Sequence, residues 1–576
     1  MTIKNALMKK MCLIPLLLNI GCNTNQPRNA ATIIYTNGNF ITINDKAPKA
    51  KAVAVKDGKI LDVSLDQKLI MKTYKAQETQ VIDLNGKTVI PGILDAHSHL
   101  TTVAVQAVSA NLLPPPDGGA KDIPTLQNIL RRFIKESPTI KEYGIAIGFN
   151  YDDSQLAEKR HPTRQELDQV STKIPIVIMH QSGHLGVYNS LALKQAGINE
   201  NTPNPPGGTF YREDDGKKPN GVMAENAHFM AIYKLIPKYS DEQLQDMIIK
   251  AEHIYLKNGV TTIQDGRTDP NGINSLIYTA KNKGFKADIV AYADLEMNLK
   301  NKILKGPFMS KKYTKRFRIG GVKLSLDGSP QGKTAWFTKS YLVPPHNEKL
   351  GYKGFPIFKE TQKLQNLVEI AQENEWKLLA HGNGDAAIDQ LIKVVSKANK
   401  NKTKPNIDSV LIHGQFMRKD QIPKIKELNI FPSVYPMHTF YWGDWHRFSV
   451  AGEERASFSS PTASILKAGM KFSIHTDAPV IFPDSARLLH SAVNRVTRSG
   501  YILGPNERIS PLTALKALTI WPAIQYSEDS LKGSIEKGKL ADFAVLSHDP
   551  LKIPVEDLIK IKVLKTIKEG KIIYEK

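Results

Sequence analysis

Eight short apolar segments that alternate with helix-like stretches constrain the fold of this chain more than any other feature. In chain order they read TVIPGILDAHSHL, GVTTIQDGRTD, KADIVAYADL, RIGGVKLSLDGS, WKLLAHGNGD, SVLIHGQF, NIFPSVYP and KFSIHTDAPV. Apolar strands that alternate with helical patterns are typical of parallel βα units. Eight such units predict an α/β fold built on a (β/α)8 TIM-like barrel, whose functional site lies at the carboxyl ends of the strands.

One interval between the predicted strands is far too long for a single helix and its loops. It runs from Thr101 to Asn258, between the first and second strands. It contains strand patterns of its own in YGIAIGFNYD and IPIVIMHQSGHLGVYN, and a Gly/Pro-rich, hairpin-like piece, NPPGGTFYREDDGKKPNGVMAEN. We therefore expect a large inserted subdomain at residues 101–258 within a barrel of residues 88–530. At that end of a barrel it would cover the site as a lid or substrate wall.

Both ends of the folded chain have sequence patterns that are typical of short β-strands. Residues 32–87 contain short strand-like runs separated by Asn-Gly and Asp-Gly pairs, which are hairpin signals. Residues 531–576 contain similar strand-like runs in GKLADFAVLSHDP and VLKTIKEGKIIYEK. The prediction is one small β-sheet domain formed from both ends of the chain.

Polar residues end five of the eight predicted strands. They are His97 and His99, Lys323, His381, His413 and Asp477. Residues two apart on a strand point to the same side, so the imidazoles of the HSH pair face one point. Each residue alone has a plain explanation, such as a hydrogen-bonded core histidine, a Lys323–Asp327 ion pair or a loop cap at Asp477. Together they predict a metal site, because histidine is the commonest metal ligand and separate accidents would not fall on so many strand ends.

Several motifs give the chain a family resemblance over about residues 32–576. They are PGILDAHSHL, VKLSLDGS followed by KTAW, HGNGDAAID, HGQF, TDAPV and GSIEKGKLADFAVL. In these motifs the sequence resembles the amidohydrolase superfamily, and within it the branch of YtcJ-like proteins and N-substituted formamide deformylases.

The resemblance implies a metal-dependent hydrolase with one or two divalent ions, zinc being the expected metal. His97, His99 and Asp477 would bind one ion, His381 and His413 the second, and a carboxylated Lys323 would bridge them. The implied reaction is hydrolysis of a non-peptide C–N bond (amide, N-formyl or N-acyl) by metal-activated hydroxide, with Asp477 as the catalytic acid–base. An ester or cyclic imide substrate and a catalytically silent ligand-binding lipoprotein remain as alternatives.

Two further segments, HQSGHLGVYNSLAL and GVMAENA, resemble substrate-contacting patterns of the family. They imply His180, His184, Asn189 and Glu225 as substrate-binding residues, the alternative being packing and hydrogen bonding within the lid. The sequence departs from the family in HTDAPV, where His475 stands at a place that more often holds a small residue.

The basic composition gives no sign of a nucleic-acid partner. The net charge is +22 and the isoelectric point is about 9.5, but the lysines are scattered and no nucleic-acid-binding motif accompanies them. We expect a small-molecule substrate and a solvated, lysine-rich surface.

Both cysteines, Cys12 and Cys22, lie near the start of the chain, so the rest can hold no disulfide. The basic MTIKNALMKKM and the short apolar CLIPLLLNIG resemble a lipoprotein signal peptide at residues 1–22, with Cys22 as the lipidated residue and residues 23–31 as a polar tether. This predicts an exported, periplasmic or outer-membrane-facing lipoprotein that touches the membrane only through its anchor. Ordinary secretion and an uncleaved or misassigned start are the alternatives.

Overall fold

The computed structural model describes residues 29–345, 348–400 and 404–576. The predicted signal peptide at residues 1–22, with Cys22, therefore lies outside the described residues, as does most of the predicted tether. Ala31, at the end of that tether, is buried, and its amide donates to the Tyr74 carbonyl at 2.9 Å. Of the helices within the described ranges, none is long and apolar enough to cross a membrane.

Eight parallel strands form a central sheet, and each strand pairs with the next one along the chain. Numbered one to eight, they are Ile93–Leu94, Val260–Thr268, Asp288–Asp294, Phe317–Ser325, Lys377–Gly382, Ser409–His413, Phe431–Val434 and Ser473–Ile474. Each predicted strand segment overlaps one of them, and the predicted α/β class is confirmed.

The sheet is curled so that the residues after its first and last strands meet. The amide of Asp477 donates to the His97 carbonyl at 3.1 Å, and the amide of His99 donates to the Ala478 carbonyl at 2.7 Å. The segments that carry the strand-end residues from opposite edges of the sheet are thereby held side by side.

Helices connect the strands from two to eight and follow strand eight. They span Pro270–Asn282, Leu295–Asn298, Thr361–Glu373, Asp385–Asn399, Gln421–Glu427, His438–Trp445, Glu453–Ser457, Thr462–Lys467, Ser485–Asn494, Pro511–Leu518 and Ile520–Gln525. Short 3-10 turns lie at Lys302–Lys305, Pro505–Glu507 and Val555–Lys560, and a π-helical turn lies at His446–Val450.

Alternation along the strands divides the core into two parts. In strand three, Ile289 and Ala291 belong to the large core that includes the helices, whereas Val290 and Tyr292 point to the other face of the sheet. There they meet Leu379 of strand five in a smaller cluster. The central sheet is therefore buried on both faces, which explains why its strands are nearly continuous apolar runs.

The interval between strands one and two carries its own six-stranded sheet. In sheet order its strands are Gly208–Arg212, Pro219–Glu225, Leu185–Tyr188, Ile176–His180, Ala146–Tyr151 and Ala110–Asn111. Its helices are Leu100–Gln106, Ile123–Glu136, Pro138–Tyr143, Arg164–Asp168, Ser190–Ala196, Asn226–Leu235 and Asp241–Leu256. The Trp442 indole donates to Asp152 at 2.8 Å and the Gln181 amide donates to the Val480 carbonyl at 3.0 Å, so this region contacts the segments that follow strands seven and eight.

Strands from both ends of the chain pair in one mixed sheet. In sheet order they are Lys571–Glu575, Val563–Lys568, Phe543–Leu546, Thr88–Pro91, Asn39–Ile41 and Lys49–Ala50. A second sheet contains Lys59–Ser64, Ala52–Lys56, Ile33–Thr36 and Gln80–Asp83, with the helix Gln67–Tyr74 beside it. Thr88–Pro91 leads almost directly into strand one, so the end sheet lies at the amino end of the central sheet, away from the strand-end histidines.

Candidate active site

Three histidines surround the carboxylate of Asp477 where strands one, six and eight end. Asp477 Oδ1 lies 3.5 Å from His97 Nε2 and 3.2 Å from His99 Nε2, and Asp477 Oδ2 lies 3.8 Å from His413 Nε2. The ligand atoms of His97, His413 and Asp477 all lie within 4.8 Å of one another. This is the spacing of donor atoms around a common point.

The backbone is unusual at two of these residues. His413 and Asp477 have φ angles of 74° and 55°, in the left-handed region that residues other than glycine rarely adopt. Such conformations cost of order 1–3 kcal/mol each and cluster at functional sites. His413 is the last residue of strand six and Asp477 follows strand eight, and the side chains of both belong to the shared cluster.

Lys323 and His381, on strands four and five, complete the predicted set. Lys323 Nζ lies 3.3 Å from His97 Nε2, and the ring of His381 lies 4.6 Å from that of His413, measured between centroids. The structure thus brings all six predicted metal-site residues together. Asp327, considered as an ion-pair partner of Lys323, instead accepts backbone N–H bonds and lies 3.3 Å from His381 Nδ1.

Gln264 of strand two orients His97. The Gln264 side-chain nitrogen donates to the Ala96 carbonyl and to the Tyr526 hydroxyl, both at 2.8 Å, which leaves Oε1 to accept from His97 Nδ1 at 2.7 Å. The proton of His97 is therefore on Nδ1, and the lone pair of Nε2 faces Asp477. A metal-ligating histidine characteristically donates its other ring N–H in this way.

His413 is held by a second chain of hydrogen bonds. Its Nδ1 lies 3.0 Å from His475 Nε2, and His475 Nδ1 lies 2.9 Å from Ser433 Oγ. His475, the residue that departs from the family pattern, therefore contacts a predicted ligand directly.

Burial sets the protonation states of the cluster. It lowers the pKa of both His97 and His413 well below the usual range, so both rings are neutral near pH 7. Burial raises the pKa of Asp477, but its interaction with His99 and nearby positive charge outweigh this and leave the pKa below its ordinary value. Burial also lowers the pKa of Lys323 to about 7.

The donor set fits a divalent cation. Neutral imidazoles and an ionised carboxylate are the forms that bind metal. Asp477 Oδ1 is buried and has no hydrogen-bond partner among the described residues, although His99 is close to it. A buried oxygen with no donor is costly, and a cation at this point would satisfy it.

Two of the residues predicted in the inserted region, His184 and Glu225, pair with each other. His184 Nδ1 lies 2.9 Å from Glu225 Oε2. Burial lowers the pKa of His184, but Glu225 and, more weakly, Asp477 raise it, so the net shift is upward. Burial lowers the pKa of His381; Asp327 opposes this shift, and Lys323 and His184 add to it.

His180 and Asn189 are engaged within the inserted region itself. His180 Nε2 lies 2.9 Å from Asp153 Oδ1, and its carboxylate neighbours overcome burial and raise its pKa to about 9. Asn189 is fully buried and caps the helix Ser190–Ala196 by accepting from the Ala192 amide at 2.9 Å. The structure therefore places both residues in hydrogen bonds within the inserted region, which was the alternative to substrate binding.

Sequence reasoning missed the residues that support the candidate ligands, Gln264 and Ser433 among them. Gly266 is another: a Cβ there would lie 2.3 Å from His97 Cε1, so only glycine lets strand two pass this ring. A glycine inside a predicted strand was the available signal, since it often marks a close approach.

A parallel α/β sheet with histidines and an aspartate converging at its strand ends defines a hydrolase scaffold of the metal-dependent type. The amidohydrolase family (Amidohydro_3) matches residues 80–574, and this chain belongs to that family. The predicted resemblance is confirmed.

Relatives cover nearly the whole chain. It is 26% identical to N-substituted formamide deformylase of Arthrobacter pascens, covering 94% of this chain and 98% of the relative. It is 25% identical to the putative amidohydrolase YtcJ of Bacillus subtilis (strain 168), covering 94% and 99%. An uncharacterized metal-dependent hydrolase from Pyrococcus horikoshii OT3 has a similar fold, with a TM-score of 0.72, 24% identity and coverage of 91% and 99%.

Proposed function

We propose that this protein is a metal-dependent amidohydrolase that cleaves a non-peptide C–N bond in an amide, N-formyl or N-acyl compound. The observation that carries the proposal is the convergence of His97, His413 and Asp477, whose ligand atoms lie within 4.8 Å of one another. The deformylase of Arthrobacter pascens supports the choice of bond.

The residues that would hold the metal are those around Asp477. His97, His99 and Asp477 would hold one ion, and His381, His413 and a carboxylated Lys323 would hold or share a second. Zinc suits a set dominated by imidazole. A bound divalent metal supplies Lewis acidity, which lowers the pKa of water to about 7. Lys323 becomes a ligand only as a carbamate, because a buried ammonium would repel the cations.

Asp477 carries the proton in the proposed reaction. A water molecule attacks the carbonyl carbon, and the Asp477 carboxylate accepts its proton and returns it to the nitrogen as the C–N bond breaks. The products are a carboxylic acid and an amine, so atoms and protons balance. His184, held by Glu225 at 2.9 Å, donates to the carbonyl oxygen of the substrate and orients it.

The proposed architecture is a closed (β/α)8 barrel at residues 88–530 with an inserted lid at residues 101–258. The backbone hydrogen bonds between the segments after strands one and eight support closure. The contacts of Asp152 and Gln181 with the segments after strands seven and eight support the position of the lid. Residues 32–87 and 531–576 would form the small β-sheet domain.

The test combines metal analysis with hydrolysis of N-formyl amines by purified protein. We expect His97→Ala/His99→Ala to lose at least one metal per chain and all activity. Asp477→Asn keeps the shape of the side chain but cannot move a proton, so kcat should fall by about two to four orders of magnitude. His548→Ala changes an exposed histidine outside the site and is the matched control.

Two outcomes would contradict the proposal. Unchanged metal content in the double histidine variant would place the metal elsewhere. Activity of the Asp477→Asn protein within tenfold of wild type would assign the proton transfer to another group. Circular dichroism of each variant separates loss of the site from loss of the fold.

A further inference from the structure

Arg267 lies next to the candidate active site, near the end of strand two. It follows Gly266, whose amide donates to the Ser98 carbonyl at 2.7 Å and whose Cα packs against the ring of His97. Its ion-pair partner, Asp294, ends strand three in register with Lys323 of strand four. The pair therefore sits at the same strand ends as the metal-site residues.

The guanidinium of Arg267 is only partly engaged. Arg267 Nε donates to Asp294 Oδ2 at 2.8 Å, while Asp294 Oδ1 accepts from the Met297 amide at 3.1 Å. Both oxygens of Asp294 are thereby in use. Among the residues that the structure describes, the two terminal nitrogens of Arg267 have no hydrogen-bond partner, and the side chain is 40% exposed. These nitrogens form the fork that binds a carboxylate through two parallel hydrogen bonds.

The backbone beside Arg267 also contacts the candidate site. His99 forms an isolated β-bridge with Asp265, and the Thr101 amide donates to Asp265 Oδ1 at 2.9 Å. Arg267 therefore follows two residues after a direct contact with the segment of the HSH pair, at the carboxyl end of strand two, where a substrate of the candidate site would lie.

We propose that Arg267 binds a carboxylate group of the substrate, which makes amides that carry a carboxylate, such as N-acyl amino acids, the preferred substrate class. This rests on the proposed amide hydrolysis. The planar fork favours a carboxylate, and the Asp294 contact holds the fork in place without using its outer edge. In the reaction the acyl–nitrogen bond breaks, the water oxygen joins the acyl carbon and the proton goes to the amine, while the carboxylate on Arg267 is unchanged.

The experiment compares two substrates that differ only in the carboxylate: N-formylphenylalanine and N-formylphenethylamine. The measured quantity is the ratio of their kcat/KM values. Wild type should prefer the acid by at least about tenfold, the effect expected for a hydrogen bond between charged groups. In Arg267→Met the ratio should fall to about one, mainly through KM for the acid. Arg131→Met removes an exposed arginine of the inserted region and should keep the wild-type ratio.

Arg267→Lys keeps the charge without the fork and should restore only part of the preference. Binding of both compounds by calorimetry gives a second readout that does not need turnover. A wild-type ratio near one, or a preference that survives in Arg267→Met, would overturn the role of Arg267 while amide hydrolysis stands. If neither compound is hydrolysed, the proposed reaction fails, and calorimetry alone decides whether Arg267 binds the acid.

Discussion

At the scale of single residues, His475 determines how the ring of His413 faces the site. If His413 binds metal through Nε2, its Nδ1 carries the proton and donates to His475 Nε2 at 3.0 Å. His475 Nδ1 then donates to Ser433 Oγ at 2.9 Å. Burial lowers the pKa of His475 to about 3, so the ring is neutral and able to accept. One buried histidine thus fixes the tautomer of another.

Removing this acceptor should weaken metal binding. We expect His475→Ala to lower zinc affinity by about 10- to 100-fold, the usual effect of losing a partner of a metal-ligating histidine. His475→Gln keeps an oxygen acceptor and should retain most of the affinity. Competition with a zinc chelator measures both. Equal affinity in His475→Ala and wild type would mean that packing alone holds His413.

The candidate ligands could be predicted from the sequence because each lies in or next to an apolar run that predicts a strand. To predict the positions of Lys323 and His381 it was enough to predict their strands, since the ends of parallel strands meet at one edge of the sheet. The contact between Ser433 and His475 could not be predicted, because it depends on how strands seven and eight pair. The same holds for Gln264, which looks like any polar residue of strand two until His97 is placed beside it.

At the scale of elements, a buried ion-pair network joins the end sheet to the central sheet. Lys568 ends the strand Val563–Lys568, and its Nζ lies 2.6 Å from Asp288 and 2.7 Å from Asp542. Lys532 reaches the same Asp288 oxygen at 2.6 Å. Burial raises the pKa of Asp288, but the two lysines outweigh this and hold it well below the usual range. Asp288 begins strand three, so the network ties the last strands of the chain to the central sheet.

Breaking this network should destabilise the whole protein. Lys568→Met leaves buried carboxylates with one cation fewer, and we expect a loss of about 3–5 kcal/mol in the free energy of unfolding. Lys565→Met, in the same strand, removes a more exposed pair with Glu575 and should cost less than about 1 kcal/mol. Urea denaturation measures both. Similar losses in the two variants would show that the network adds nothing beyond surface charge.

The eight central strands were predictable because burial on both faces makes them apolar. The end strands were predictable from their turn residues, but their ionic contacts were not. Lys568 lies in TIKEGK, which looks like a solvated hairpin. Its partner Asp288 is 280 residues away, and only the packing of the two sheets brings them together.

At the scale of the whole molecule, buried neutral histidines set the response to pH. Burial lowers the pKa of His228 and His446 to about 3, and that of His438 well below its usual range. In the unfolded chain these groups titrate near pH 6.5. Below that pH the unfolded state binds more protons than the folded state, so stability is complete above about pH 6.5 and falls as the pH is lowered.

Other groups oppose or bound this trend. Burial raises the pKa of Glu252 to about 7 and that of Asp95 to about 6. The contribution of these two carboxyls to the stability of the protein is therefore lost as the pH rises from about 4 to 7. His180, with a pKa raised to about 9, loses its contribution as the pH rises above 6.5. The strongly shifted histidines outnumber the carboxyls, so we expect maximal stability near pH 7 and a decline toward pH 5.

The contribution of a single histidine to this pH dependence can be measured at His446. It is fully buried, its ring lies 5.3 Å from that of Phe416, and neither ring nitrogen has a partner among the described residues. His446→Phe keeps a ring of similar size and removes the group that must gain a proton on unfolding. Between pH 6.5 and 5 the variant should therefore lose about 1.6 kcal/mol less than wild type in the free energy of unfolding. Urea denaturation at the two pH values gives this difference directly. Parallel pH profiles of the two proteins would mean that His446 is hydrated and titrates normally in the folded state.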